Sequence, residues 1–230
     1  MTEITWILDE TTGQLLVEGL TSEEAPPLVG DLLPPAREVY CAAAQEVLQL
    51  QPASPEEIAR STCVRIAGFY HNSLIEGPGR RSTVKFQGCT TACPGCIVRD
   101  TWDKQGGYLV PIDRLADALL DPWFDRDGIS ILGGEPFLQP EALLAVVQEL
   151  RVRGCRQILV YSGYTYERLQ RMAQRRPAIA AVLNYADILV DGPYVAALAD
   201  RAGPWTGSGN QRVINLVETR CRGHIVHVGE

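Results

Sequence analysis

The stretch "VKFQGCTTACPGCIV", residues 84–98, begins as an apolar-alternating strand and breaks at Gly88 into a loop carrying Cys89, Cys93 and Cys96. Three thiols at spacing C-x3-C-x2-C, directly after a strand, call for something to hold. Thiolates ligate zinc or iron–sulfur clusters. Structural zinc favours four protein ligands in two short-spaced pairs, and this loop offers one triplet with no His near it in sequence: His71 comes earlier, and His224 and His227 stand at the far end. A cubane cluster can be held by three thiolates, with its fourth iron left to a small molecule. Gly88, Pro94 and Gly95 suit a loop that wraps closely around an inorganic group. Spacing favours a cluster and leaves zinc open.

The surroundings agree with a globular chain. Of 230 residues, 46% are hydrophobic and 21% charged, values of a folded domain with a real core rather than a disordered segment. The net charge of −7 argues against a broad phosphate-binding surface, so no nucleic-acid partner is expected. No apolar run approaches the roughly 18–20 residues of a membrane span, and "MTEITWILDETTG" has acids where a leader would carry bases. A cytoplasmic protein without a membrane partner is the expectation. Seven cysteines is an odd number; the scattered Cys41, Cys63, Cys155 and Cys221 read as small buried hydrophobes, not as a secreted disulfide framework.

Two regions differ in pattern. In residues 1–62, "TWILDETTGQLLVEG" reads as two short strands around a Thr-Thr-Gly turn, "EEAPPLVGDLLPP" as a Pro-rich connection, and "AREVYCAAAQEVLQL" as a helix. "SPEEIARS" reads as a short helix capped by Ser54 with Pro55 in its first turn. From residue 63 to 230 strands alternate with helices. "VRIAGFYHN", "STVKFQG", "GISILGG", "RQILVYSG", "ADILVDG" and "QRVINL" read as strands. "PIDRLADALLD", "QPEALLAVVQELRVRG" (closing on Gly154) and "TYERLQRMAQRR" (ended by Pro177) read as helices. The repeat predicts βαβ units on a mostly parallel sheet. There are too few for an eight-fold barrel, so the expected fold is α/β: a partial (β/α) barrel with a small α+β N-terminal extension.

Ligands of such sheets gather at the C-terminal ends of the strands. The cysteine loop, "GGEP", "SGY" and "DGPY" each follow a strand, so four motifs are expected on one rim. Gly133 and Gly134 allow a ligand close to the backbone, and Glu135 carries a charge complementary to an ammonium; the plainer reading is a Gly-Gly turn with a surface acid. Ser162 and Tyr164 suit a ribose or a base, or else are a loop hydroxyl and a packed ring. Asp191 suits a cation, a ligand or a structural turn. Asn210, Gln211 and Arg212 suit a carboxylate, a partner's backbone or a solvated strand end. Gly77, Pro78, Gly79 and Arg80 form a tight loop expected at a substrate mouth.

The order "IEGPGRRSTVKFQGCTTACPGCIVRDTW", "LGGEPFLQ", "SGYTYERL", "ILVDGPYV", "WTGSGNQRVINL" resembles the radical S-adenosylmethionine superfamily. Within it, the spacing is most similar to the activating enzymes of anaerobic ribonucleotide reductase. The resemblance spans roughly residues 64–217. It implies that Cys89, Cys93 and Cys96 bind a [4Fe-4S] cluster and that S-adenosylmethionine chelates the remaining iron. It also implies that one electron cleaves the sulfonium to methionine and a 5′-deoxyadenosyl radical, which takes hydrogen from a glycine Cα of a partner enzyme. Gly133, Gly134, Glu135, Ser162, Tyr164, Asp191, Gln211 and Arg212 would serve the nucleotide, and a flavodoxin or ferredoxin would supply the electron. Two features depart from the pattern. Ile97 follows the third cysteine where these activases usually carry an aromatic, and the first sixty residues have no counterpart in the minimal activases. That extension is expected to help recognise a partner. The alternative is a radical enzyme that acts on a peptide or small molecule by hydrogen abstraction.

Overall fold

The structure is a computed structural model that describes the backbone of residues 5–9 and 14–18 and the chain over residues 48–229. By its contacts the chain divides into two compact units, Met1–Glu46 and Val47–Glu230. In the first, β1 (Thr5–Asp9) pairs antiparallel with β2 (Gln14–Glu18), the two short strands expected there. The expected Thr-Thr-Gly turn, the Pro-rich connection and helix residues 36–47 lie outside the described residues. Residues 48–50, expected at the end of that helix, are not helical: Leu48 instead bridges Phe69.

Residues 48–62, expected with the extension, pack in the larger unit. There α1 (Pro55–Arg60) starts in a capping box: Ser54 accepts the Glu57 N–H, and the Glu57 carboxylate accepts the Ser54 N–H. Arg114 pairs with Glu57, and the Ala53 N–H donates to the Leu109 carbonyl.

The larger unit is built on one seven-stranded sheet. Its strands are β3 (Cys63–Ser73), β4 (Arg81–Phe86), β5 (Tyr108–Pro111), β6 (Gly128–Gly133), β7 (Ile158–Tyr161), β8 (Ile188–Asp191) and β9 (Arg212–Asn215), in the order β5-β3-β4-β6-β7-β8-β9. The expectation of a mostly parallel sheet holds only at its centre. β4, β6, β7 and β8 run parallel, whereas β3, β5 and β9 are antiparallel to their neighbours. The central pairs are joined by crossovers that carry α-helices, whereas a short loop returns the chain from β3 to β4 in the opposite direction and residues 192–211 return it from β8 to β9 without an α-helix.

The helices are α2 (Ile112–Leu119), α3 (Pro140–Val152), α4 (Tyr166–Ala173), α5 (Pro177–Tyr185) and α6 (Leu216–Arg222). In α3, Leu143, Val146, Val147 and Leu150 recur at i, i+3, i+4, i+7 and are all buried. They join Val84, Phe86, Ile129, Ile131, Ile158 and Val160 in the main core. Full burial of each such side chain stabilises the fold by about 1.5–3 kcal/mol. Strand alternation puts Leu159, Ile188 and Val190 on the opposite face, in a smaller cluster with Tyr161, Val213 and Val228. Helix α3 ends as expected, with Gly154 at φ +85° and its N–H on the Arg151 carbonyl. No helix among the described residues is long and apolar enough to cross a membrane.

Candidate radical centre at the C-terminal rim of the sheet

Because β4, β6, β7 and β8 are parallel neighbours, their C-terminal ends share one edge of the sheet. Residues 87–98 leave β4 there, Gly134–Gln139 leave β6, Ser162–Thr165 leave β7, and Gly192 onward leave β8. The four expected motifs therefore do converge. Gly77–Arg80 do not join them. They precede β4 and lie at its N-terminal end, where the Arg80 N–H donates to Asp127. That loop is turned away from the cysteine rim because six residues of strand, roughly 20 Å, separate the two.

Backbone hydrogen bonds stitch the loops together. The Gly134 N–H donates to the Phe86 carbonyl at 2.8 Å and the Glu135 N–H to the Gly88 carbonyl at 2.8 Å. The Gly88 N–H donates to Thr101 at 2.7 Å, the Ser162 N–H to Val190 at 2.9 Å and the Gly192 N–H to Tyr164 at 3.3 Å. The two glycines of "GGEP" are required by this packing. A Cβ at Gly134 would stand 2.3 Å from the Gly88 oxygen; Gly133 has φ +109°, and its Cβ would meet the Phe86 backbone at 2.6 Å.

Cys89, Cys93 and Cys96 are free thiols, each half-buried in one loop. The Cys96 N–H donates to the Cys93 carbonyl at 3.1 Å, and Gly88, Ala92 and Gly95 take positive φ, which curls the segment. Burial pushes the Cys93 thiol up; a hydrogen bond from the Tyr194 backbone opposes this, and neighbouring Cys89 and Cys96 raise it further. A Cβ at Gly95 would meet Ala196 and Tyr194, so the loop's far side rests on the segment after β8. Among the described residues no three His, Cys, Asp or Glu side chains close on a single ion. A cubane distributes its thiolates one to each iron rather than around a point. Three half-buried thiols on one curled, Gly-rich loop, with Cys93 near enough to Cys89 and Cys96 to be influenced by both, fit that group.

The other expected ligand contacts have partners inside the protein. Glu135 is fully buried, and burial pushes its carboxyl up to about 7 against the donors that hold it. Its Oε1 accepts the Phe137 N–H at 3.1 Å, its Oε2 the Gly163 N–H at 2.8 Å, and Ser162 Oγ lies 3.0 and 3.1 Å from the two. Ser162 Oγ also accepts the Tyr164 N–H at 3.0 Å. Tyr164 is buried beneath the Arg168 guanidinium, 4.2 Å from its ring centroid, and its hydroxyl is 3.3 Å from Thr90 Oγ1. Asp191 accepts from Tyr166 N–H at 2.6 Å and from Arg212 at 2.9 and 2.5 Å. Arg212 also grips Glu167 through two 2.9 Å contacts. Gln211 accepts the Gly207 and Ser208 N–H groups and donates to the Gly192 carbonyl, while Asn210 donates to Pro193. These side chains build the rim and hold its loops in place.

Sequence reasoning passes over Thr90, Thr91, Gly163 and Tyr194. The first two lie inside the C-x3-C spacing, and that position is the available signal. Ile97 is 92% exposed beside the third cysteine.

Comparison with known proteins places this arrangement. Residues 75–214, more than half of the chain, match the family model described as a 4Fe-4S single cluster domain. The anaerobic ribonucleoside-triphosphate reductase-activating protein of Haemophilus influenzae is 35% identical over 150 residues, 62% of this chain and 92% of that protein. The pyruvate formate-lyase-activating enzyme of Clostridium pasteurianum is 32% identical over 127 residues, 54% of this chain and 53% of its own. QueE from Escherichia coli superposes on 49% of the chain at a TM-score of 0.40 and 18% identity, too loose an overlap to bear on the fold. The chain belongs to the 4Fe-4S single cluster domain family, in its radical S-adenosylmethionine activating-enzyme branch. It is an enzyme, and its cofactors are a [4Fe-4S] cluster and S-adenosylmethionine.

Proposed function

We propose that this protein installs a glycyl radical on a partner enzyme of the anaerobic ribonucleotide reductase kind, with Cys89, Cys93 and Cys96 holding three irons of the cluster. The observation that carries this is the convergence of the three thiols with the loops after β6, β7 and β8 on one edge of four parallel strands. The chemistry supplied by cluster and nucleotide when bound is one-electron cleavage of the sulfonium, giving methionine and a 5′-deoxyadenosyl radical.

The chain's own residues do the positioning. Gly133 and Gly134 let the β6 loop lie against the base of the cysteine loop and leave backbone groups at the rim for the nucleotide. Glu135 and Ser162 lock the β7 turn against the β6 loop, and the Tyr164–Thr90 contact ties that turn to the first cysteine. Asp191, Arg212 and Gln211 keep the β8 and β9 ends in register so that the far wall excludes water from the radical.

The sheet is read as a partial barrel. Helices cover one face, and the other bears the smaller apolar cluster. Of the expected extension, the unit Met1–Glu46 assists recognition of the protein partner. The electron comes from a flavodoxin or ferredoxin in the cytoplasm. The test is oxygen-free reconstitution with iron and sulfide, then reductant and S-adenosylmethionine, with and without a candidate glycyl-radical enzyme. A glycine-centred doublet in the electron paramagnetic resonance spectrum, formed only with both proteins, is the expected result. Nucleoside release coupled instead to a modified peptide or metabolite overturns the partner assignment.

A further inference from the structure

Helix α4 and the turn after it carry Arg168, Arg171, Arg175 and Arg176, against one acid, Glu167, in the whole run from Tyr164 to Ala186. The chain has a net charge of −7, so the sign is reversed locally. All four arginines are exposed, and among the described residues none of them forms an ion pair. Glu167 is already held by Arg212, and the neighbouring helix α5 has no charged residue to offset the arginines. Leu169, Met172 and Ala173 pack on the core, so Arg168, Arg171 and Arg175, at i, i+3 and i+7, share a face turned to solvent.

Helix stability does not account for this set. Bases suit the C-terminal turn, where Arg171 and Arg175 stand, but Arg168 is in the first turn, where the helix dipole disfavours a cation. It is held there over the Tyr164 ring, 4.2 Å from the centroid, and its charge reaches buried Glu135. The Tyr164 hydroxyl is 3.3 Å from Thr90 Oγ1, and Thr90 adjoins Cys89. The basic face therefore starts one ring and one hydroxyl contact from the cysteine loop. Resting on the function proposed above, we propose that this face of α4 is the docking site of an acidic electron-carrier protein, which reaches the cluster at the Tyr164–Thr90 edge of the rim. The carrier is oxidised by one electron and the cluster is reduced by one. Complementary charge steers such an encounter and raises its rate by roughly 10–10³, most strongly at low salt.

The experiment compares the reconstituted full chain with its Arg171→Glu/Arg175→Glu variant, which leaves Arg168 and the rim untouched. The probes are an acidic flavodoxin and an acidic ferredoxin. Calorimetry at low and high salt reads binding of the oxidised carriers. The variant should bind at least one of them about tenfold or more weakly at low salt, with a shallower salt dependence. Release of 5′-deoxyadenosine driven by that reduced carrier should fall in parallel, while release driven by light and deazaflavin, which needs no docking, should stay at the wild-type rate. Should the double Glu variant fail to fold by circular dichroism, Arg171→Gln/Arg175→Gln decides, with a smaller loss in the same direction. A wild type that releases no nucleoside with deazaflavin sinks the radical chemistry, and the calorimetry still decides the docking. Carrier binding that is absent, or equal in wild type and variant, overturns the proposal. So does a variant that keeps carrier binding but loses glycyl-radical yield under deazaflavin, which would put the radical-accepting partner on α4.

Discussion

Glu135 Oε2 accepts the Gly163 N–H at 2.8 Å, so a fully buried carboxyl from the loop after β6 holds the turn after β7. Burial raises this carboxyl from its ordinary value of 4.5 to about 7. A carboxyl raised in the fold binds its proton more tightly there than in the unfolded chain. The associated stability is present in full below about 4.5 and is lost as the pH climbs through about 7. Urea melts of the wild type should therefore weaken across that window. Glu135→Gln should lack this slope. It should also be less stable throughout, because its amide NH₂ must face either the Phe137 or the Gly163 N–H. A parallel slope in wild type and variant would assign the titration to another group.

Gly134 is the point where two rim loops touch. With 2.3 Å between an added methyl carbon and the Gly88 oxygen, Gly134→Ala must push the cysteine loop off the β6 loop or break the Glu135–Gly88 hydrogen bond. The cost should be roughly 1–3 kcal/mol, as for other overpacked positions. Iron bound per folded chain should fall with it, measured by colorimetric iron assay against circular dichroism. Gly154→Ala is the control: a Cβ there meets nothing within 4 Å, and its φ of +85° gives only backbone strain far from the rim.

The central architecture is legible in the sequence because β6, β7 and β8 are short apolar runs followed by Gly, β4 alternates up to its break at Gly88, and α3 keeps a clean helical period. Strand direction is not legible. Periodicity in β3 or β9 is the same whichever way the strand runs, and only the brevity of the 74–80 loop hints at the reversal into β4. β5 has four residues, too few for a pattern, and α5 begins at Pro177, whose place after a helical run reads only as a stop. At the rim the residue types are readable and their partners are not. Whether Arg212 meets a ligand or Asp191 depends on the antiparallel register that sets Asp191 opposite Arg212 across β8 and β9. Arg81, wholly buried on Ser130, Gln157 and two carbonyls, is hidden for the same reason.

Replacing any one of Cys89, Cys93 or Cys96 by Ala should abolish cluster assembly and 5′-deoxyadenosine release together, read by iron and sulfide content and by chromatography of the nucleoside. A variant releasing nucleoside at the wild-type rate would remove that cysteine from the ligand set. Cys155→Ala serves as the contrast. Its thiol is buried and bonded to the Gln157 carbonyl at 3.5 Å, so the loss should be about 1 kcal/mol of stability with the cluster retained. Cys221→Ala, at an exposed site, should change neither.

Arg212 joins a buried acid to an exposed one, and the two should respond differently to its removal. The Asp191 side chain is 1% exposed and the Glu167 side chain 46%. Arg212→Met leaves Asp191 buried with only the Tyr166 N–H, and stability should drop by about 3–5 kcal/mol in urea titrations at neutral pH. Glu167 contributes little to that figure because solvent screens it. Its signature is in acid. Hydrogen bonds from Arg212 are the main reason its carboxyl sits at about 2 rather than 4.5. A carboxyl lowered in the fold adds stability above its unfolded value and surrenders it as the pH falls from 4.5 toward 2. The wild type should therefore weaken over that interval through Glu167, and Arg212→Met should show a shallower acid limb. Equal acid slopes in both proteins would mean that Glu167 is not held by Arg212 in solution.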